Sequence, residues 1–100
     1  MAHLENINKN IQYDINEGIS YQSIDNKFII LNMNNGEYYE LNSSSSFIWN
    51  QIIKMSSKDI ILETAKIQFN LSEDQIKEVN SALEKFVDLE LVSKSEIERN

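Results

Sequence analysis

The chain has 100 residues, with sixteen acids against nine Lys and Arg, a net charge of −7, no cysteine, no proline and two glycines. That length fits one domain around a single core. The composition excludes disulfides, thiolate metal sites and a Cys nucleophile. The acidic balance argues against a phosphate-backbone partner, because nucleic-acid affinity depends on clustered Lys and Arg.

Residues 1–16, "MAHLENINKNIQYDIN", are polar and rich in Asn. They read as a flexible or loosely docked arm. Ile7, Ile11 and Ile15 recur at every fourth position, which also permits a short amphipathic helix. The start lacks the basic region and long apolar core of a signal peptide, and no apolar run approaches the ~20 residues of a membrane span. The absence of cysteine fits a cytoplasmic protein.

Next come two stretches with strand character. "ISYQSI" at 19–24 alternates, and "KFIILNM" at 27–33 is rich in β-branched and aromatic residues. Asp25-Asn26 is a two-residue turn between them. Asn34-Asn35-Gly36 is a hairpin signal, because Asn and Gly tolerate positive φ. "EYYEL" at 37–41 returns as a third strand, completing an antiparallel meander. Asn42 and Ser43 then supply N-cap oxygens for a helix, while Ser44, Ser45 and Ser46 are small enough to lie against other backbone at the strand-to-helix corner. Phe47, Ile48, Ile52 and Met55 fall on or near one stripe of that helix. Trp49 sits beside the stripe and is expected in the core.

A second helix is expected from Ser56 or Ser57, where Ser56 and Asp59 fit a capping pattern. It carries Ile60, Ile61, Thr64, Ala65 and Phe69 and stops at a left-handed Asn70. Ser72 and Gln75 form another capping box. After it, Ile76, Val79, Leu83, Phe86 and Val87 recur at spacings of three and four, the clearest helix in the chain. The polar residues 94–100 read as a fraying tail. The fold class is therefore α+β: a three-stranded antiparallel sheet followed by three helices, winged helix-turn-helix-like. The expected organisation is an arm over 1–16, a domain over 17–93 and a tail over 94–100.

These residues resemble the PqqD-like family, also called RiPP recognition elements. The resemblance rests on Leu41-Asn42 at the end of a strand, the small residues after it, Ile48-Trp49 and Ile52, Asp59-Ile60 opening the second helix, and Leu83, Phe86, Leu89 and Leu91 in the last segment. It covers about residues 19–92. Two positions depart from the pattern: Glu90 stands where a Gly commonly precedes the last Leu, and Met55-Ser56-Ser57 stands in a turn that often carries Gly.

The resemblance implies an adaptor without a reaction of its own. Such domains bind the leader of a ribosomally made precursor peptide as an added strand and present it to a modifying enzyme or leader protease, of lasso or radical type. It implies a groove between the third strand and the last helix. The strand candidates are Glu37, Tyr38, Tyr39, Glu40 and Leu41. The helix candidates are Ile76, Val79, Asn80, Ala82, Leu83 and Phe86. Of the two adjacent tyrosines, alternation sends one ring inward and one outward.

No catalytic residue, metal site or cofactor is expected. His3 stands alone in the arm, and the serines of 43–46 have no His or Lys placed to activate them. The acids of the last helix read as a solvated face. Two other functions compete. A winged-helix DNA binder would use the last helix for recognition, but residues 72–92 hold six acids against Lys77 and Lys85. The other is a small accessory or structural subunit of an enzyme.

Overall fold

A computed structural model describes residues 9–98. Among them run, in order, β1 (Lys9–Ile15), β2 (Ile19–Ile24), β3 (Lys27–Asn32), β4 (Glu37–Glu40), α1 (Ser43–Ile53), α2 (Lys58–Phe69), α3 (Glu73–Asp88) and β5 (Val92–Glu98). The strands form two sheets. β2, β3 and β4 make an antiparallel meander in that order, and β1 pairs with β5. The expected meander and three helices are present.

The turns follow their residues. Asp25 and Asn26 take φ of 53° and 66°, the mirror-image turn that matches strand twist. At the next hairpin only Gly36 is left-handed, with φ 78°. There the Asn32 side chain accepts the Asn34 N–H at 2.9 Å and shapes a longer loop.

Two terminal segments differ from expectation. Residues 9–15, expected within an arm or short helix, are β1. A spacing of four satisfies a two-residue period as well as a helical one. Tyr13 breaks the tie: it lies midway between Ile11 and Ile15 and is 1% exposed. The supposed tail forms most of β5, whose register runs from Ile15 opposite Val92 to Lys9 opposite Glu98. Its sequence is polar, so backbone pairing with a distant strand, not apolar patterning, makes it extended. Asn16 locks this junction. Its N–H donates to Leu91 O at 3.0 Å, and its Nδ2 donates to Glu90 O at 2.8 Å. His3 and Ile7 lie outside the described residues.

The helix caps explain the polar stretches. Asn42 Oδ1 accepts the Ser45 N–H at 2.9 Å. Ser72 and Gln75 form the reciprocal box expected of them. The cap of α2 is Ser57, which accepts from Ile60, one residue later than the Ser56–Asp59 pattern. Asn70 is left-handed as expected, with φ 54°. Met55 departs from the α1 stripe: the helix ends at Ile53, and Met55 is exposed in the turn beyond it.

Every layer contributes to one core. Trp49 is fully buried, with Tyr21 and Phe86 edge-on to it at ring distances of 5.8 and 5.3 Å. Around it pack Ile30, Ile48, Ile52, Ile61 and Leu83, with Tyr13, Leu91 and Val92 from the chain's two ends. The expected core role of Trp49 holds.

Candidate functional site

β4 is an edge strand, paired to β3 on one side. The Leu41 N–H donates to Phe28 O at 2.9 Å. Register places Tyr39 opposite Ile30 and Glu37 opposite Asn32. Antiparallel bonding alternates along a strand, so Glu37, Tyr39 and Leu41 bond inward to β3. Tyr38 and Glu40 direct their backbone N–H and C=O groups to the open edge.

The turn from β4 into α1 is held by the fourth serine. Ser46 is buried, its Oγ accepting the Phe28 N–H at 2.9 Å and donating to Leu41 O at 3.4 Å. A side chain larger than serine would separate the sheet from the helix here. The Tyr39 hydroxyl donates to Glu37 Oε1 at 2.7 Å. That bond, with some desolvation and the carboxylate charge, raises its pKa above the ordinary tyrosine value.

Between the β4 edge and α3 lies a groove of about 430 Å³. Tyr39, Glu40 and Leu41 form the strand side, and Ala82, Lys85, Phe86 and Leu89 much of the helix side. Five expected site residues therefore come together: Tyr39, Glu40, Leu41, Ala82 and Phe86. Val79 lies in an adjoining apolar pocket that shares Ala82. The others sit elsewhere. Leu83 is fully buried in the core, at the centre of the stripe and not on its flank. Ile76 lines a crevice on the opposite side of α3, with Leu62 and Glu63. Asn80 is half-buried, its Oδ1 without a protein partner. Tyr38 is 63% exposed and on the other face of the strand from Tyr39. Glu37 supports Tyr39 by accepting its hydroxyl and does not line the groove.

The groove also includes Ser81 and Leu89, which were not among the expected site residues, and Lys85, which was expected only at its rim. A signal for Ser81 existed. Ser81-Ala82 is a small pair within a helix of larger residues, and small side chains leave room beside a strand. Among the described residues no group of three or more His, Asp or Glu is placed to hold a metal ion. Among the described residues no helix is long and apolar enough to cross a membrane.

The family described as coenzyme PQQ synthesis protein D (PqqD) matches residues 27–92. The chain belongs to this family. No curated protein matches it. Among solved structures, "TbiB1 in Complex with the TbiA(beta) Leader Peptide" is similar, with a TM-score of 0.75 and 17% identity over 80% of this chain and 94% of that one. At that identity the likeness is one of fold. The PqqD-family match begins at β3 and ends at the first residue of β5, so it takes in β4, all three helices and the groove.

Proposed function

We propose that this PqqD-family chain binds the leader segment of a ribosomally synthesised precursor peptide and presents it to a modifying enzyme or leader protease. The observation that carries this reading is the open β4 edge beside an apolar groove. Free backbone groups bind any extended peptide, and the side-chain pockets beside them select among sequences. The similar fold of TbiB1, solved with a leader peptide, supports the same assignment. On this reading the chain is a binding module, its compartment is the cytoplasm where ribosomal precursors are made, and the partner enzyme supplies the chemistry. The working unit extends beyond 17–93, because the β1–β5 ladder supplies Tyr13 and Val92 to the core.

The shape of a winged helix does not favour DNA here. α3 carries Glu73, Asp74, Glu78, Glu84 and Asp88 against Lys77 and Lys85, and a helix so charged is repelled by phosphates.

The test is amide shift mapping with the synthetic leader of a ribosomally made precursor peptide. Shifts are expected over 36–42 and 78–89. Shifts confined to α2 or to β1 would sink the strand-addition reading.

A further inference from the structure

The meander has one edge that leader binding at β4 leaves unused. β2 is an outer strand, with β3 on one side. Its six residues, Ile19–Ile24, hold no charge, whereas β1, β3, β4 and β5 each hold at least one. Its register with β3 is unbroken from Ile19 opposite Asn32 to Ile24 opposite Lys27, so no bulge twists it away. Natural sheets keep an edge from pairing with charges, bulges, prolines or short length. β4 has two of these, being four residues long with Glu37 and Glu40. β2 has none. It is exposed from Ser20 onward, and Tyr21 and Ile24 stay 41% and 47% exposed. In a chain of net charge −7, this uncharged edge is where a second copy approaches with least repulsion.

Backbone geometry fixes how two such edges meet. Ile24 and Lys27 flank a two-residue turn, and the Met33 N–H donates to Gly18 O at 2.9 Å. Ser20, Gln22 and Ile24 therefore bond to β3, while Ile19, Tyr21 and Ser23 direct their backbone groups outward. Antiparallel pairing about a twofold axis at Tyr21 uses all three. Ile19 of one copy meets Ser23 of the other, and the two Tyr21 residues meet on the axis. The Ile19 N–H already reaches Asn16 O at 3.3 Å, so the firm bonds are those of Tyr21 and those from the Ser23 N–H to Ile19 O. On the outer face the same register sets Ser20 against Gln22. It sets Ile24 against Gly18, which has no side chain to obstruct it. The Tyr21 ring stands edge-on to Trp49 at 5.8 Å, and on the axis each Tyr21 covers the exposed side of the other.

We infer that β2 is a self-pairing edge: two copies of this chain join through antiparallel β2 strands into one six-stranded sheet, in the order β4-β3-β2-β2-β3-β4. The contact is isologous and closes at two copies. An edge of six residues falls in the small, transient class of interface, below ~1,200 Å² of buried surface, so the dimer forms at high protein concentration. Glu17 of one copy comes near Asp25 of the other at each end of the pairing, and both are exposed. Salt screens that repulsion, so the dimer tightens as salt rises. Both β4 edges stay open at the far ends of the sheet, five strand spacings or ~24 Å apart. Resting on the leader-binding reading above, the dimer then holds two leaders at once; the pairing itself does not depend on that reading.

Sedimentation of the full chain from ~10 μM to ~1 mM, at low and high salt, tests the pairing. The mean mass is expected to rise from one chain toward two, and to rise further in high salt. Ser23→Pro removes the N–H that donates across the interface and spares the ladder to β3, so it is expected to weaken the dimer at least ~tenfold. The chain has no cysteine, so an introduced cross-link reads the register cleanly. Ser20→Cys in one copy and Gln22→Cys in the other lie opposite as a non-hydrogen-bonded pair, with Cα atoms ~4.5 Å apart and within disulfide reach. Oxidised together, the two variants are expected to give more cross-linked dimer than either alone, where the nearest sulfurs sit diagonally. A parent that sediments as one chain throughout would overturn the pairing. So would a dimer equally strong in Ser23→Pro, or a mixture that cross-links no more than its components. Each of those results leaves leader binding at β4 standing, because that is read separately from the β4 amide shifts.

Discussion

Three left-handed residues close the three helices, and none is glycine. Met55, Asn70 and Glu90 have φ of 65°, 54° and 63°. After α1 and α3 the bonds are those of a Schellman close. Met55 N–H donates to Ile52 O and Ser56 N–H to Gln51 O, while Glu90 N–H donates to Val87 O and Leu91 N–H to Phe86 O. Glu90 stands where the family pattern commonly has glycine, and Met55 lies in the Met55-Ser56-Ser57 turn that often carries one. For an L-residue the left-handed conformation costs ~1–2 kcal/mol, while glycine's extra freedom when unfolded returns ~0.5–1 kcal/mol of any gain. Met55→Gly and Glu90→Gly are each expected to stabilise by ~0.5–1 kcal/mol, raising Tm by a few degrees. Glu90→Gly gains more, since its carboxylate also opposes the helix C-terminus. Thermal melts decide; a lower Tm in both would show that the strain is absent. Tyr13 makes a different residue-scale case. Its hydroxyl is buried without a protein partner, and that burial, with the Glu84 carboxylate adding, pushes its pKa up to about 12 from 10.0. The folded state thus resists ionisation that the unfolded chain undergoes near pH 10. The associated stability is complete below pH 10 and falls as pH rises through 12, by at most ~1.4 kcal/mol per pH unit. Tyr13→Phe is expected to flatten that alkaline loss and to leave neutral stability equal or higher, since it removes an unpaired polar atom. Urea midpoints at neutral and alkaline pH measure it, and an equally steep loss in the variant would assign the titration to another group.

At the scale of elements, the β1–β5 ladder joins segments as distant as Lys9 and Glu98. It brings Tyr13, Leu91 and Val92 into the core, with Ile11 and Ile15 packed against them. Removing residues 1–15 would take away β1, leave β5 unpaired and uncover Leu91. Each large apolar side chain so affected carries ~1.5–3 kcal/mol of burial, and a domain of this size has only ~5–15 kcal/mol in total. The shortened chain is therefore expected to lose cooperative unfolding and amide dispersion. A sharp, near-parental urea transition would show the ladder to be dispensable. The elements between Ile19 and Asp88 were legible because their signals are local: Asp-Asn and Asn-Gly turns, Asn42, Ser72 and Asn70 caps, and a steady three-and-four spacing in α3. The ladder was hidden for two reasons. Ile11 and Ile15 satisfy both periods, and β5 owes its extended form to a partner at the other end of the chain. The groove was half legible. Alternation showed that one of Tyr38 and Tyr39 faces inward without saying which, and Leu41 beyond β4 was a candidate. On α3 the centre of the apolar stripe, Leu83, belongs to the core, and the groove takes the flank at Ala82, Lys85 and Leu89.

At the scale of the whole molecule, the meander has a second open edge, and its two edges differ in surroundings. In the meander both β2 and β4 are outer strands. β2 is exposed from Ser20 to Ile24, whereas β4 has α3 beside it and a groove between. If strand addition is the function, it should use β4 and spare β2, and proline separates the possibilities. Proline removes one N–H and is tolerated where that N–H faces outward from an edge strand. On β4 the Tyr38 N–H faces the open edge, and the Tyr39 N–H faces Ile30. On β2 the two-residue Asp25-Asn26 turn and the Met33 N–H bond to Gly18 O at 2.9 Å place the Ser20 and Gln22 bonds toward β3, so the Ser23 N–H faces outward. Three variants then have three expected outcomes. Tyr39→Pro breaks the sheet and lowers Tm, so its loss of binding would be uninformative alone. Ser23→Pro keeps both fold and binding. Tyr38→Pro keeps the fold but weakens leader binding about tenfold or more, since it removes one backbone bond and leaves the peptide carbonyl opposite it unpaired. Circular dichroism establishes that the two edge variants are folded, and fluorescence anisotropy with the labelled leader gives their affinities. Parental affinity in a folded Tyr38→Pro variant would mean that the peptide does not pair with β4. Loss in Ser23→Pro with retention in Tyr38→Pro would move the site to the opposite edge of the sheet.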